Sequence, residues 1–154
     1  MRRIGRVLGH IVWWCSWPLM WPVLRNSERT RLALTNEHGE VLLVRGWISP
    51  NGRWSLPGGG LRKGEDPVMG LLREMQEEVG LTLQAADVSL IEVRRGKSKG
   101  FKCTLHFYAA TVRGLDDIWL RWYEVADFMW MHPADLTTLN AEPDIISVVA
   151  TLAG

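Results

Sequence analysis

The sequence predicts an α/β fold, a mixed sheet covered by helices on both faces, and three observations predict it. Short aliphatic runs at residues 30–35, 41–45, 88–95, 101–112 and 128–131 are bounded by turn residues, as strands are. Residues 67–79 carry the start and stop signals of a helix. A second helical stretch follows at residues 143–152. Strands interrupted by one central and one terminal helix bury their apolar faces best as a sheet layered between helices.

Taken in order, residues 1–29 stand apart. MRRIGRVLGH is basic, and the IVWWCSWPLMWPVL run has almost no polar group, which together look like the first two regions of a signal peptide. Trp residues, Pro18 and Pro22 interrupt that pattern, and no small-residue cleavage site follows. The run is also shorter than the roughly 20 residues that span a bilayer. We read the segment first as an element packed on the domain or on a second subunit, which allows a homodimer. The alternative is peripheral membrane contact through residues 1–25, with Arg2, Arg3 and Arg6 at lipid headgroups and Trp13, Trp14, Trp17 and Trp21 at the boundary. Targeting or spanning is the remaining reading. The catalytic domain is expected over residues 30–154.

Residues 30–35 and 41–45 are joined by Asn36-Glu37-His38-Gly39 and read as a β-hairpin. Pro50-Asn51-Gly52 marks a turn before Trp54-Ser55-Leu56, and Pro57-Gly58-Gly59-Gly60 must be a loop. Asp66 is an N-cap and Pro67 suits the first helical position. Gly80 ends the helix as a C′ glycine would. Beyond it, the strands at residues 88–95 and 101–112 are joined by a flexible, basic stretch, Gly96-Lys97-Ser98-Lys99-Gly100. Another strand follows at residues 128–131 and a helical turn at residues 133–139. The helix at residues 143–152 places Ile145, Ile146, Val149 and Leu152 on one face.

A chain of 154 residues fits one domain with a real core. The net charge of +1 gives no global field towards nucleic acid, and none is expected as a partner. The charge is unevenly placed, since residues 1–31 hold six Arg and one Glu. Cys15 and Cys103 form neither a disulfide framework nor a zinc-spaced pair, so a reduced, cytoplasmic setting is expected, membrane-peripheral if residues 1–25 are an anchor.

At about 100° per residue, Glu74, Glu77 and Glu78 share one face of the central helix. Val68, Leu72, Met75 and Val79 gather on another as a core stripe. Gly70 falls inside the acidic face, where a side chain would fill space that a metal or phosphate needs. Arg73, four residues before Glu77, can pair with it. Crowded carboxylates repel one another unless cations neutralise them, and oxygen ligands favour Mg²⁺ or Mn²⁺ over zinc. A diphosphate adds negative charge, so metal bridging is close to required for it to bind there. A Glu-rich helix alone is more often a solvated face with internal ion pairs. Glu65, Gly80 and the Pro-Gly-Gly-Gly loop at fixed spacing argue otherwise.

That spacing resembles the Nudix box: G, five residues, E, seven residues, then R-E-U-x-E-E-x-G-U with U aliphatic. Gly59, Glu65, Arg73, Glu74, Met75, Glu77, Glu78, Gly80 and Leu81 match every fixed position. A chance match in a chain of this size has odds on the order of 10⁻⁷. The resemblance implies an α/β/α sandwich with a mixed central sheet, the box being loop-helix-loop. It also implies metal-dependent hydrolysis of a diphosphate linked to another group, in a small molecule containing a nucleoside diphosphate. Carried over by position, Glu74, Glu77 and Glu78 correspond to the metal-binding carboxylates, the Gly59 carbonyl to the backbone ligand, and Glu65 to a supporting acid. Arg73 and Glu74 are catalytic candidates. Glu124 is the leading later base, because Glu124-Val125-Ala126-Asp127-Phe128-Met129-Trp130 resembles the family's E-I, four residues, W segment. Asp116 and Asp117 are its rivals.

Arg45, at the end of its strand, can take a phosphate bidentately, and with Trp47 and Arg53 it makes up the substrate-binding set. Trp54, Trp119 and Trp122 are further stacking candidates, though aromatic residues more often pack in cores. Trp130, Cys103 and His106 are expected to be structural. Some ADP-ribose-type relatives carry a proline about sixteen residues past the box, where this chain has Lys97. Dinucleoside-polyphosphate types often place a tyrosine where Ser98 and Lys99 stand. Their absence favours nucleoside triphosphates or nucleotide sugars. A non-catalytic nucleotide sensor or membrane-associated interaction protein of the same fold would usually have lost a box glutamate, and none is lost. Isopentenyl diphosphate isomerisation wants a cysteine in a suitable loop, which Cys103 does not offer.

The two readings of residues 1–25 predict different outcomes. An anchor makes the full chain co-sediment with anionic liposomes, less so as salt rises. A packing element makes truncation from residue 26 lower thermal stability or shift the oligomer to monomer, with no retention on liposomes. Either way the truncated chain should keep its hydrolytic activity, since every metal-ligand candidate lies at Gly59 or later. A folded but inactive truncation would refute that division of the chain.

Overall fold

The computed structural model describes residues 27–47, 49–98, 101–113 and 125–152. The N-terminal segment, Glu124, Asp116, Asp117, Trp119 and Trp122 lie outside the described residues. Five strands form one sheet in the order β3-β4-β1-β2-β5: β1 (Ser27–Thr35), β2 (Val41–Gly46), β3 (Ser89–Ser98), β4 (Phe101–Thr111) and β5 (Val125–Met131). Helix α1 (Pro67–Glu78) covers one face and helix α2 (Pro143–Ala150) the other. The sheet is mixed: β1 runs parallel to β4, and the remaining neighbours are antiparallel.

Strand alternation divides the core in two, because successive side chains leave a strand on opposite faces. Leu32, Leu34, Leu42 and Val44 meet Leu71 and Met75 of α1. Ala33, Val41, Leu43 and Phe107 meet Ile145 and Val149 of α2. Neither helix matches its expected stripe in full. On α1, Leu71 is wholly buried while Val68 and Leu72 are only partly so. On α2 the buried set is Ile145, Val148 and Val149, and Leu152 lies exposed past the helix end. A stripe drawn from sequence fixes the helical period, but sheet geometry fixes which side of the stripe faces in.

The caps of α1 are as expected. Asp66 accepts from the Val68 and Met69 N–H groups at 2.9 and 3.1 Å, which satisfies two orphan donors of the first turn. Gly80 adopts φ 70° just past the helix. Residues 96–98, expected to open a flexible linker, instead continue β3 through Ser98; Lys99 and Gly100 of that linker lie outside the described residues. Gly96, Lys97 and Ser98 pair with Cys103, Lys102 and Phe101, and ladder hydrogen bonds outweigh a polar composition.

The hairpin of β1 and β2 pairs only at Thr35 and Val41; beyond that point the strands part, and residues 54–61 fill the gap. On one side Val44 and Ser55 exchange backbone hydrogen bonds of 2.8 and 2.9 Å. On the other, the Pro57 and Gly59 carbonyls accept from the Leu32 and Thr30 N–H groups, and Leu61 N–H donates to Glu28. Gly58 is required here twice over. Its φ is 133°, and a Cβ would run into the Thr30 carbonyl. Gly58→Ala should therefore cost about 2–4 kcal/mol, read as a lower midpoint in denaturant titration; an unchanged midpoint would mean that the loop is not wedged in place.

Candidate active site

The wedged loop meets the acidic face of α1. Gly58 N–H donates to the Glu78 carboxylate at 2.8 Å. The Glu74 carboxylate lies so close to Gly59 that a Cβ there would overlap it. Arg73 then collects the acids around it. Its Nε and one terminal nitrogen hold Glu65 through two bonds of 2.9 Å. The other terminal nitrogen reaches Glu74 at 2.8 Å and Glu77 at 3.0 Å. The Gly60 carbonyl accepts a further bond at 3.1 Å.

Shifts in acidity follow this geometry. Hydrogen bonds from Arg73 hold Glu65 at about 2, against the opposing pull of burial. Arg73 itself is pushed above its usual value, first by Glu65 and then by Glu74 and Glu77, again against burial. Arg62 adds only a loose contact of 3.8 Å to Glu77, so acids outnumber bases among the described residues around the loop. The donor set is all oxygen, which suits a hard divalent cation. The acids border one loop but are not gathered into a preformed cage among the described residues.

Gly70 is buried for a reason other than the one expected. A Cβ there would meet Leu61 and come within 3.1 Å of Glu65, so the missing side chain admits the loop that carries Glu65 rather than a ligand. The Gly59 carbonyl accepts from Thr30 N–H at 3.0 Å, and a carbonyl oxygen keeps a second lone pair for another partner.

The substrate-binding candidates divide. Arg45 and Trp47 line a cleft of about 370 Å³ with Gly46, Ser49 and Asp127. Arg45 pairs across the sheet with Asp127 at 2.9 Å and lies over the Trp54 ring, 4.7 Å from its centroid. Arg53 does not line that cleft; its Nε is shielded from solvent without an acceptor among the described residues. Trp54 is core, as is Cys103 in β4, and Trp130 packs partly buried against the α1 side. His106 meets the Glu28 carboxylate at 3.0 Å.

Two residues carry weight that sequence reading passed over. Arg31 is 5% exposed and donates to the Gly58 carbonyl, securing the glycine loop from the α2 side. Arg29, two residues earlier, is also buried. Arginines at alternate positions leading into an apolar strand were the available signal, because a period of two puts both on one face with Ala33.

The family model for the NUDIX domain matches residues 27–152. The chain is similar to an RNA pyrophosphohydrolase of Erythrobacter litoralis, 29% identical over 134 residues that cover 75% of this chain and 82% of that one. A second RNA pyrophosphohydrolase, from Rhodospirillum rubrum, is 43% identical over 63 residues, 41% of this chain and 38% of the relative. Among solved structures, a C. elegans Ap4A hydrolase binary complex superposes with a TM-score of 0.69 at 21% identity, covering 82% of this chain and 95% of that chain.

Acid titration tests the Arg73 hub. The folded-state value of Glu65, about 2, lies below the ordinary 4.5. Its ion pair therefore stabilises the fold fully above 4.5, and that contribution is lost as pH falls from 4.5 through 2. In EDTA, thermal unfolding of wild type and Glu65→Gln should differ by a constant amount at neutral pH, and the gap should close across that window. A gap indifferent to pH would show that Glu65 is not held as an anion by Arg73.

Proposed function

Because the chain belongs to the NUDIX family and is a pyrophosphohydrolase, we propose that it hydrolyses a phosphoric anhydride bond in a nucleoside di- or triphosphate derivative with the help of Mg²⁺ or Mn²⁺. The observation that carries this reading is the gathering of Glu65, Glu74 and Glu77 on Arg73, with Glu78 fixed to the same glycine loop. A site so acidic repels a diphosphate unless a cation stands between them.

Glu74, Glu77 and Glu78 would hold that cation, with the Gly59 carbonyl and Glu65 in support. When bound it lowers the pKa of a coordinated water and offsets charge on the phosphates. Arg73 orients three of the acids. Glu74, only 13% exposed beside Gly59, is one candidate for the proton acceptor; Glu124 is the other, on sequence grounds. Arg45 and Trp47 line the cleft they share with Asp127 and would contact the rest of the substrate; Arg53, the third expected member, stands outside that lining, next in sequence to Gly52 of the cleft.

The similarity to RNA pyrophosphohydrolases favours a 5′-triphosphate end, free or on an oligonucleotide, over a nucleotide sugar. That departs from the expectation that nucleic acid is no partner. Nucleoside triphosphates, nucleotide sugars, a dinucleoside tetraphosphate and a 5′-triphosphorylated RNA oligonucleotide should be offered with Mg²⁺ and the products identified. On the best of these, Glu77→Gln and Glu78→Gln should each lose at least about 10²-fold in turnover with the fold retained. Full activity in both variants would sink the proposed site.

A further inference from the structure

Arg29 and Arg31 leave β1 on the same face, the one covered by α2, yet their surroundings differ. Arg31 holds the Gly58 carbonyl. Arg29 is 9% exposed, and among the described residues its solvent-shielded Nε has no hydrogen-bond acceptor and no carboxylate stands within ion-pair distance of it. Its backbone runs beside the acidic loop, bridged to Gly60. Burial and then the charge of Arg31 press its pKa below the usual arginine value, while Cys103, Glu142 and Glu74 work the other way.

A guanidinium stays protonated in a protein, and a buried cation with no counter-ion is costly. The same group becomes favourable once an anion with two oxygens meets its planar fork. The anion that visits this end of the molecule is the substrate's diphosphate, on the reading that the chain is a pyrophosphohydrolase with its carboxylates around Gly59. We propose that Arg29 receives a non-bridging phosphate oxygen of the substrate, on the phosphate turned away from the α1 carboxylates. It thereby sets which end of the diphosphate faces the glutamates. Arg31, already committed to the loop, holds Gly58 in place for this contact.

The test uses the full chain with α,β-methylene-ADP, which cannot be hydrolysed at its anhydride position, in the presence of Mg²⁺. Arg29→Met should weaken binding by roughly 10–100-fold, the worth of a charge-assisted contact. The same change should raise the melting temperature of the free protein by roughly 2–4 °C, since it removes an uncompensated buried charge. Arg29→Lys should bind at an intermediate level. It also identifies by its loss the Arg29 Nε–H NMR signal, which in wild type should shift on adding the probe. Binding in Arg29→Met within about twofold of wild type, a lowered melting temperature, or an unmoved Nε–H signal would each overturn the inference while leaving the pyrophosphohydrolase reading intact. Failure of the wild-type chain to bind the probe at all would count against both.

Discussion

The parting of β1 and β2 is the constraint on which the rest of this structure depends. An ordinary hairpin would continue its ladder from Thr35 and Val41 along both strands. Here one edge of each strand is instead satisfied by the segment from Trp54 to Leu61, through Val44, Ser55, Leu32, Thr30 and Glu28. Backbone groups buried between strands must be paired, so the wedge has little freedom to shift. It also needs a chain thin enough to fit. Gly58 passes the Thr30 carbonyl and Gly59 passes the Glu74 carboxylate, each where no Cβ can stand. The glycines that read as a loop in sequence are held between the two strands by backbone hydrogen bonds and close approaches.

Once the wedge is fixed, the acids of α1 have a fixed wall to face, and their mutual repulsion has to be managed. Arg73, with its side chain 18% exposed, answers this by binding three carboxylates and the Gly60 carbonyl at once. The planar guanidinium suits the task because its donors diverge in a set geometry, which an ammonium could not reproduce. The arrangement is a compromise. Four acids around one glycine loop, three of them on a single arginine, are worse for stability than fewer acids would be, and the proposed exchange of cations and phosphates would give that excess a purpose. Sites of this kind hold strain or charge that function requires and stability does not.

Local features were legible in the sequence and long-range ones were not. Asp66, Pro67 and Gly80 announced α1 because capping is settled within a few residues. The box spacing announced the acids and the loop because helix and turn fix their separation. The parallel pairing of β1 with β4 joins Ser27 to Cys103, a partnership no local pattern encodes. The same holds for the burial of Leu71 in place of Leu72 and for the continuation of β3 through Ser98, both decided by neighbours distant in sequence. Gly70 misled for the same reason. On a helical wheel it is a gap in an acidic face; in the fold the gap is taken by Leu61.

Arg29 and Arg31 show how far identical residues can diverge when only the partner differs. Both stand on β1, both face α2, and both are buried. For Arg31 the Gly58 carbonyl offsets part of the desolvation, and the bond fastens the loop to the strand. Moving two residues along the strand brings Arg29 level with Gly60, beyond reach of that carbonyl, and among the described residues no acceptor takes its place. A Lys at that position could shed its proton under such burial, but a guanidinium keeps its charge. The charge therefore persists on the α2 side of the loop, opposite in sign to the carboxylates on the α1 side. A linear substrate carrying several phosphates is suited to such a division. On the proposed reading, its length would let one phosphate sit among cations at the glutamates while the next reached the arginine, and the field across the loop would orient it before any contact with the base was made.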